Sequence, residues 1–400
     1  MESLPLTPNG KIDRKALPLP DDLAMQSGTE FVAPRTALEK QVAEIWEELL
    51  GRRPVGVTAN FFDLGGHSIL AVRLIARMER QFGKRIPMAA LFQSATVEGL
   101  AQALTAADAA PWSPLVPIQP NGSRTPLFFV HAVGGQVLSY MDLSRHLGQD
   151  QPFYGLQSRH GAQGIAYHTR LEEMAAEYVA AIRAFQPIGP YQLGGWSMGG
   201  VVAFEMARQM REQGQEVALV ALLDSFVSSI SEAETTSLET REAQDLAAFA
   251  LHLGFTYGQL LASGNTIFSL QAEERLACLL SEAKSIGLFT AEMTLEDLST
   301  MLEIFKLNSR LMEQYHGGPY DGTVTLFRAE SAPHDSHAET GSTPQNPQGG
   351  WEKLATGVKV IPVPGDHFTI IQEPQVQTLA RELSACIAPA ALTKSATAGS

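Results

Sequence analysis

The run YQLGGWSMGGVVAF at 191–204 leaves a chain few choices of fold. Gly195 and Gly199 flank Ser197, and Gly194 and Gly200 widen the room in which the backbone can turn. Ahead lies an apolar run (Tyr191, Leu193), itself preceded by the helix stop QPIGP. Behind, Val201, Phe204, Met206, Ala207 and Met210 recur at helical spacing. A G-x-S-x-G between such runs is the signature of a serine presented on a tight strand-to-helix turn, with its oxygen clear of both elements. The alternative is a glycine-rich turn holding an incidental serine, and the rest of the chain decides between them.

From Pro126 onward, strand and helix patterns alternate. PLFFVHAVGG, QPFYGLQ, the elbow strand, EVALVALLDS, DGTVTLFRA and GVKVIPVPG read as strands, with MDLSRHL and LEEMAAEYVAAIRAFQ among the helices between them. The strands are near-continuous apolar runs, as expected of a mostly parallel sheet covered by helices on both faces. Reactive groups then belong at the carboxyl ends of the strands. Asp224 ends VALVALLD, and His367 follows the last strand in PVPGDHFTI, so the order is Ser, Asp, His, that of the α/β-hydrolases. A serine hydroxyl needs a base: His367 takes its proton, and Asp224 fixes the imidazole tautomer. Asp335, in RAESAPHDSH, is the competing acid, and Asp366 is too close in sequence to turn back onto the ring. The oxyanion donors are expected at the N–H of Met198 and, in the turn HAVGG, that of Val133 in preference to Ala132. His131 reads as a local hydrogen-bonding residue, and Trp196 as packing or as a wall of the acyl channel.

The interval 226–316 holds helical stretches (AQDLAAFALHLG, QAEERLACLLSEAKSIG, and TLEDLSTMLEIFKLNSRLMEQYH with a Thr294/Asp297 capping box) and no clear strand. It reads as a helical lid inserted after the acid-bearing strand. Between 332 and 350 the chain is rich in Pro, Ser, His and Gly; His334 and His337 lack further ligands, so no metal is expected.

A second compact region precedes all this, from 30 to 106. TALEKQVAEIWEELLG places Leu38, Val42, Ile45, Trp46, Leu49 and Leu50 on one stripe, ended by Gly51. FFDLGGHSILAVRLIARMERQFG puts Ser68 at the mouth of a second helix with Ile69, Val72, Leu74, Ile75 and Met78 on its apolar face. A short turn at MAALFQ and a helix at TVEGLAQAL, with Thr96 as N-cap and Leu100 and Leu104 inward, complete a small four-helix bundle. Ser68 either caps its helix or carries a phosphodiester, since unpaired N–H groups at a helix start favour phosphate. Residues 1–29 are punctuated by prolines and 107–125 read as a linker. With 43 acidic against 29 basic residues, a formal charge of -14 excludes nucleic acid as the main partner. Two cysteines, Cys278 and Cys386, make no disulfide framework, and neither a membrane span nor a signal peptide is legible, so the chain is expected in the cytoplasm.

FFDLGGHSILAVRL resembles the attachment motif of the peptidyl carrier proteins of nonribosomal peptide synthetases, and TPNGKIDRKALP resembles the closing segment of their adenylation domains. Residues 126–386, with GWSMGG, LLDS and GDH, resemble the type I thioesterase domain that ends such synthetases. Met198 replaces the aromatic often found after that serine, which leaves its backbone donor intact.

The resemblance implies a domain order: an adenylation remnant and linker at 1–29, a carrier at 30–106, a linker at 107–125, a thioesterase at 126–388 with its lid at about 226–316, and a tail at 389–400. It implies that a phosphopantetheinyl transferase attaches 4′-phosphopantetheine to Ser68, with Asp63 and His67 on the surface it reads. Lys11 falls where an adenylation domain contacts its adenylate, and with the rest of that domain missing no adenylating activity is expected. Upstream modules with condensation and adenylation domains would pass an acyl or peptidyl chain to the thiol on Ser68. Ser197 would then take it and release it to water or to an internal amine or hydroxyl, as an acid, macrolactam or macrolactone. Two alternatives stay open: an editing hydrolase that clears misprimed arms, and a carrier and docking scaffold without activity.

Overall fold

The computed structural model describes residues 31–66, 68–84, 86, 90–91, 94–106, 112–159, 166–227, 238–255, 259, 270, 272–289, 293–331 and 346–387. They fall into two compact units, one within 1–110 and the other within 111–400.

In the first unit, α1 (Ala37–Leu50) opens on a capping box. Thr36 Oγ1 accepts from the Glu39 N–H at 3.0 Å, and Glu39 Oε2 accepts from the Thr36 N–H at 3.0 Å. Gly51, at φ 64°, ends the helix in the left-handed region that glycine adopts without penalty. The buried stripe Val42, Ile45, Trp46 and Leu49 packs on Phe61, whose ring meets the Trp46 indole edge-on at 5.0 Å. The second helix, α2 (Ser68–Phe82), buries Leu70, Ala71, Leu74, Ile75 and Met78. The third, α3 (Val97–Ala106), buries Val97, Leu100, Ala101 and Leu104, and the Gly99 N–H donates to Thr96 Oγ1 at 3.1 Å as the cap predicts. Of MAALFQ only Ala90 and Leu91 are described, both helical. Among the expected inward residues, the side chains of Ile69 and Val72 lie outside the described set.

The second unit is built on a seven-stranded sheet in the order β1-β3-β2-β4-β5-β6-β7. Its strands are β1 (Leu115–Gln119), β2 (Leu127–Val130), β3 (Phe153–Leu156), β4 (Tyr191–Trp196), β5 (Val217–Leu223), β6 (Tyr320–Ala329) and β7 (Ala355–Val363). All pair in parallel except β1, which runs antiparallel to β3 at the edge. That strand lies inside the stretch read as linker. Pro117 masked it, since proline breaks a strand pattern, yet an edge strand tolerates the missing N–H and the register slips beside it. The central strands β2, β3 and β4 are buried at every residue, which is why they lack alternation.

The flanking helices are α4 (Met141–Leu147), α5 (Leu171–Phe185), α6 (Met198–Glu212) and α10 (Gln375–Cys386). The insertion between β5 and β6 supplies α7 (Leu238–Leu253), α8 (Ala272–Ser285) and α9 (Leu295–Gln314). The Thr294/Asp297 capping box opens α9 as read from the sequence. Ile304, Asn308, Leu311 and Tyr315 form one buried stripe along α9 and onto its cap residue. Leu311 and Tyr315 belong to the main core, and the Tyr315 hydroxyl donates to the fully buried Glu205 carboxylate at 2.9 Å. The last helix of the insertion is therefore rooted in the core of the sheet unit. Among the described residues no helix is long and apolar enough to cross a membrane.

Close backbone packing seats α6 on the sheet. A Cβ at Gly195 would meet the Gly199 carbonyl carbon at 2.2 Å, and one at Gly199 would meet the Val130 carbonyl oxygen at 2.2 Å. Neither neighbour is a side chain that could swing aside. Gly195→Ala should therefore destabilise the domain by more than about 3 kcal/mol in urea unfolding, in the range of core overpacking or beyond. Gly214→Ala, at φ 72° with nothing within 4 Å, should cost only the left-handed backbone penalty of about 1 kcal/mol.

Candidate active site

Ser197 stands between β4 and α6 at φ 56°, ψ -122°, a strained conformation for a residue with a Cβ. Three bonds hold it there. The Ser197 N–H donates to the Leu223 carbonyl at 3.0 Å, and the Ser197 carbonyl accepts from the Gly200 N–H at 3.1 Å and from Ser225 Oγ at 2.7 Å. One residue earlier, the Trp196 N–H donates to the Tyr140 hydroxyl at 2.9 Å, and that hydroxyl donates to the Val130 carbonyl at 2.5 Å. The phenol thus ties the ends of β2 and β4 together beside the serine.

His367 Nε2 lies 3.2 Å from Ser197 Oγ, and its Nδ1 lies 2.8 Å from Asp224 Oδ2. With Nδ1–H donating to the carboxylate, Nε2 presents its lone pair to the hydroxyl. Asp224 is buried just past β5 at φ 42°, and its second oxygen accepts from the Ala329 N–H at 3.0 Å. The structure brings together the three residues expected from strand ends. Asp335, the competing acid, lies outside the described residues, as do His334, His337, His67 and Lys11. Asp366 instead builds the histidine turn: its Oδ1 accepts from the N–H groups of Phe368 and Thr369 and from Thr369 Oγ1.

The turn after β2 packs beside the start of α6. His131 is fully buried, with Nδ1 2.6 Å from the Ala132 carbonyl and Nε2 2.9 Å from the Tyr178 hydroxyl, so its role is local and it does not reach Ser197. The Gly135 N–H also donates to the Ala132 carbonyl at 2.9 Å. Across a trans peptide the N–H points opposite to the C=O, so the Val133 N–H is turned away from His131. The Val133 carbonyl accepts from Asn308 Nδ2 of α9 at 2.7 Å.

The insertion covers the elbow. His252 of α7 stacks on the Trp196 indole with centroids 6.3 Å apart, and the His367 ring lies 5.5 Å from the same indole. Trp196 Nε1 donates to the His367 carbonyl at 2.9 Å. Trp196 thus packs against both histidine rings. Tyr140, Ser225, His252 and Asn308 were not found from sequence as site residues.

In the first unit, Ser68 is the first residue of α2, whose first turn carries no acidic side chain. The loop ahead turns at Gly65 (φ 97°), and Gly66 packs so closely that a Cβ there would meet the Phe61 ring at 2.3 Å and the Phe61 carbonyl oxygen at 2.6 Å. The Gly66 N–H donates to that same oxygen at 2.9 Å. A serine at the first position of a helix whose first turn carries no acidic side chain fits a phosphodiester. Asp63 is exposed on this loop.

The sheet order, elbow and Ser-His-Asp arrangement define an α/β-hydrolase that works through a serine. The thioesterase domain family matches residues 125–387, and the phosphopantetheine attachment site family matches 40–104. The chain belongs to the thioesterase family, with a phosphopantetheine-bearing carrier domain ahead of it, the combination of a nonribosomal-peptide-synthetase type of multidomain protein. It is similar to a dimodular nonribosomal peptide synthase of Bacillus subtilis (strain 168), 44% identical over 56% of this chain and 9% of that protein. It is similar also to the chondramide synthase of Chondromyces crocatus, 31% identical over 96% of this chain and 10% of that protein. Among solved structures, a holo four-domain nonribosomal peptide synthetase bound to AMP and glycine matches at TM-score 0.58 and 28% identity, over 96% of this chain and 28% of that one. The chain thus spans about a tenth of the length of these two curated relatives.

Burial pushes the His131 imidazole down from 6.5 to about 4, and burial also pushes His252 to about 4, with the nearby His367 adding to it. An imidazole held neutral in the fold binds fewer protons than the unfolded chain between these two values. Its contribution is intact above about pH 6.5 and is lost as the pH falls toward about 4. For His131 alone the loss between pH 7 and pH 5 should be on the order of 2 kcal/mol. Denaturant unfolding of the wild type at the two pH values should show it, and His131→Asn, which does not titrate, should show a shallower dependence.

Proposed function

We propose that this chain takes an acyl or peptidyl group from the carrier at Ser68 onto Ser197 and releases it as the finished product of an upstream assembly line. On this reading 1–29 is an adenylation-domain remnant, 30–106 the carrier, 107–125 the connecting segment and 126–388 the releasing domain, with β1 added to its sheet from within that segment. The observation that carries it is the Ser197–His367–Asp224 hydrogen-bonded chain in a polypeptide that also sets Ser68 at the start of a carrier helix. The 4′-phosphopantetheine on Ser68 supplies, when attached, a thiol that holds the acyl group as a thioester.

Ser197 Oγ adds to the thioester carbonyl while His367 Nε2 takes the hydroxyl proton, and Asp224 stabilises the imidazolium that results. The oxygen of the tetrahedral adduct is held by the N–H groups of Met198, at the start of α6, and Val133. As the adduct collapses, the carbon–sulfur bond breaks and His367 returns its proton to the departing sulfur, leaving an ester on Ser197. A second nucleophile, water or an amine or hydroxyl of the chain itself, gives its proton to His367, attacks the ester and frees Ser197. Condensation and adenylation domains upstream would supply the acyl chain, and a phosphopantetheinyl transferase the arm.

The reading is tested by loading Ser68 of the full chain with acyl-pantetheines of increasing length and following the acyl group by mass spectrometry. It should move to Ser197 and then leave, and Ser197→Ala should strand it on Ser68. Clearance of short acyl groups alone would favour editing, and an acyl group that never leaves Ser68 in the wild type would favour a docking scaffold. Asp224→Asn should lower turnover by roughly 10⁴-fold with the fold intact; if the same change at Asp335 does so instead, the acid is misassigned.

A further inference from the structure

Three successive residues at the end of β5 grip the site. The Leu223 carbonyl accepts from the Ser197 N–H at 3.0 Å, Asp224 Oδ2 lies 2.8 Å from His367 Nδ1, and Ser225 Oγ donates to the Ser197 carbonyl at 2.7 Å. The first two serve the serine and its base directly. The third does not, and Ser225 is 1% exposed, closed off from any substrate.

Ser225 is itself held from behind. Its carbonyl accepts from Trp351 Nε1 at 2.8 Å, and the Val227 N–H donates to the Gly349 carbonyl at 3.0 Å. Trp351 is fully buried and packs on Phe204 of α6 at 4.8 Å. On the other side, a Cβ at Gly200 would meet both Ser225 Oγ and Ser225 Cβ at 2.6 Å. Gly200, which lies outside the G-x-S-x-G pattern, is thus the residue that lets this hydroxyl reach the elbow.

The Ser197 carbonyl and the Met198 N–H belong to one peptide, which is planar with the two groups pointing opposite ways. Donors to a carbonyl lie near its plane. Two of them, Ser225 Oγ and the Gly200 N–H, therefore fix the rotation of the 197–198 peptide and with it the direction of the Met198 N–H. The Gly200 N–H belongs to α6 itself, whereas Ser225 ties the plane to the sheet. As the first residue of α6, Met198 has no acceptor for its N–H within the helix. Donation to the oxygen also polarises the amide and strengthens that N–H as a donor.

We infer that Ser225 is a positioning residue for the oxyanion hole: its hydroxyl holds the 197–198 peptide so that the Met198 N–H meets the adduct formed on Ser197. The inference rests on the proposed reading of Met198 as an oxyanion donor. The pair Asp224-Ser225 then serves both charges of the transition state, the carboxylate stabilising the imidazolium and the hydroxyl aiming the donor to the oxyanion.

The test compares wild type and Ser225→Ala in the full chain on two substrates. One is the hexanoyl thioester of N-acetylcysteamine, and the other is the matching dithioester, in which sulfur replaces the carbonyl oxygen and gains little from an N–H donor. Removing an oxyanion donor outright lowers kcat by about 10²–10³-fold. With the Gly200 N–H still on the carbonyl, Ser225→Ala should lower kcat for the thioester by roughly tenfold, with KM changed less than about threefold. For the dithioester kcat should change less than about threefold, and thermal unfolding should stay cooperative. An unchanged kcat for the thioester would show the hydroxyl to be idle, and an equal fall for both substrates would show that it places the nucleophile instead; either overturns the inference. Should Ser225→Ala fail to fold, Ser225→Cys, which fills the space with a weak donor, carries the same comparison. Wild-type turnover that Ser197→Ala abolishes reports separately on the proposed function, so failure of one does not mimic failure of the other.

Discussion

Backbone touches backbone where the start of α6 meets the sheet, and the site follows from it. With no side chain at Gly195 or Gly199, the start of α6 comes down onto the ends of β2 and β4. The chain can reverse there only if Ser197 takes a left-handed φ, a strain of about 1–3 kcal/mol that the three hydrogen bonds on its backbone offset. The reversal sets the start of α6 beside the turn after β2, where a Cβ at Gly199 would also meet the His131 carbonyl oxygen at 2.8 Å. Position of the serine and of that turn is thus one geometric fact.

Much of this was legible in the sequence because the local rules are strong. The elbow announces itself through glycine spacing, and β2 to β5 through near-continuous apolar runs that are buried almost throughout. Asp224 and His367 could be found by asking which polar residues end such runs. Other features were illegible for physical reasons. In β1 a proline sits where only an edge strand admits it, and nothing local says which strands are edges. Tyr140, His252 and Asn308 matter through contacts of long sequence separation: Asn308 lies 175 residues from Val133, and its helix reads as an ordinary amphipathic one. A polar residue on an apolar stripe was the only available sign.

The helical insertion has two characters. Its α7 lays His252 on Trp196, over the catalytic histidine, while α9 ends among core residues with Tyr315 bonded to the buried Glu205. Glu205 is itself paired with Arg208 at 2.8 Å and bonded by Gln209, so the charge at the root of α9 is neutralised within α6, the helix that begins at the nucleophile. One helix therefore carries Ser197 at its head and the anchorage of the insertion along its length.

The phenol of Tyr140 acquires a meaning from the strand order. The chain leaves β2 for β3 on one side and later returns to β4 on the other, which makes the gap between β2 and β4 the topological switch point of the sheet, where open α/β folds form their crevice. Strands that part at such a point give up their ladder bonds just where a reactive site needs dry, fixed walls. A hydroxyl spanning the Val130 carbonyl and the Trp196 N–H restores the lost rung at a wider spacing. The width of the crevice mouth is then set by the length of a single side chain, and water is denied the two backbone groups it would otherwise solvate.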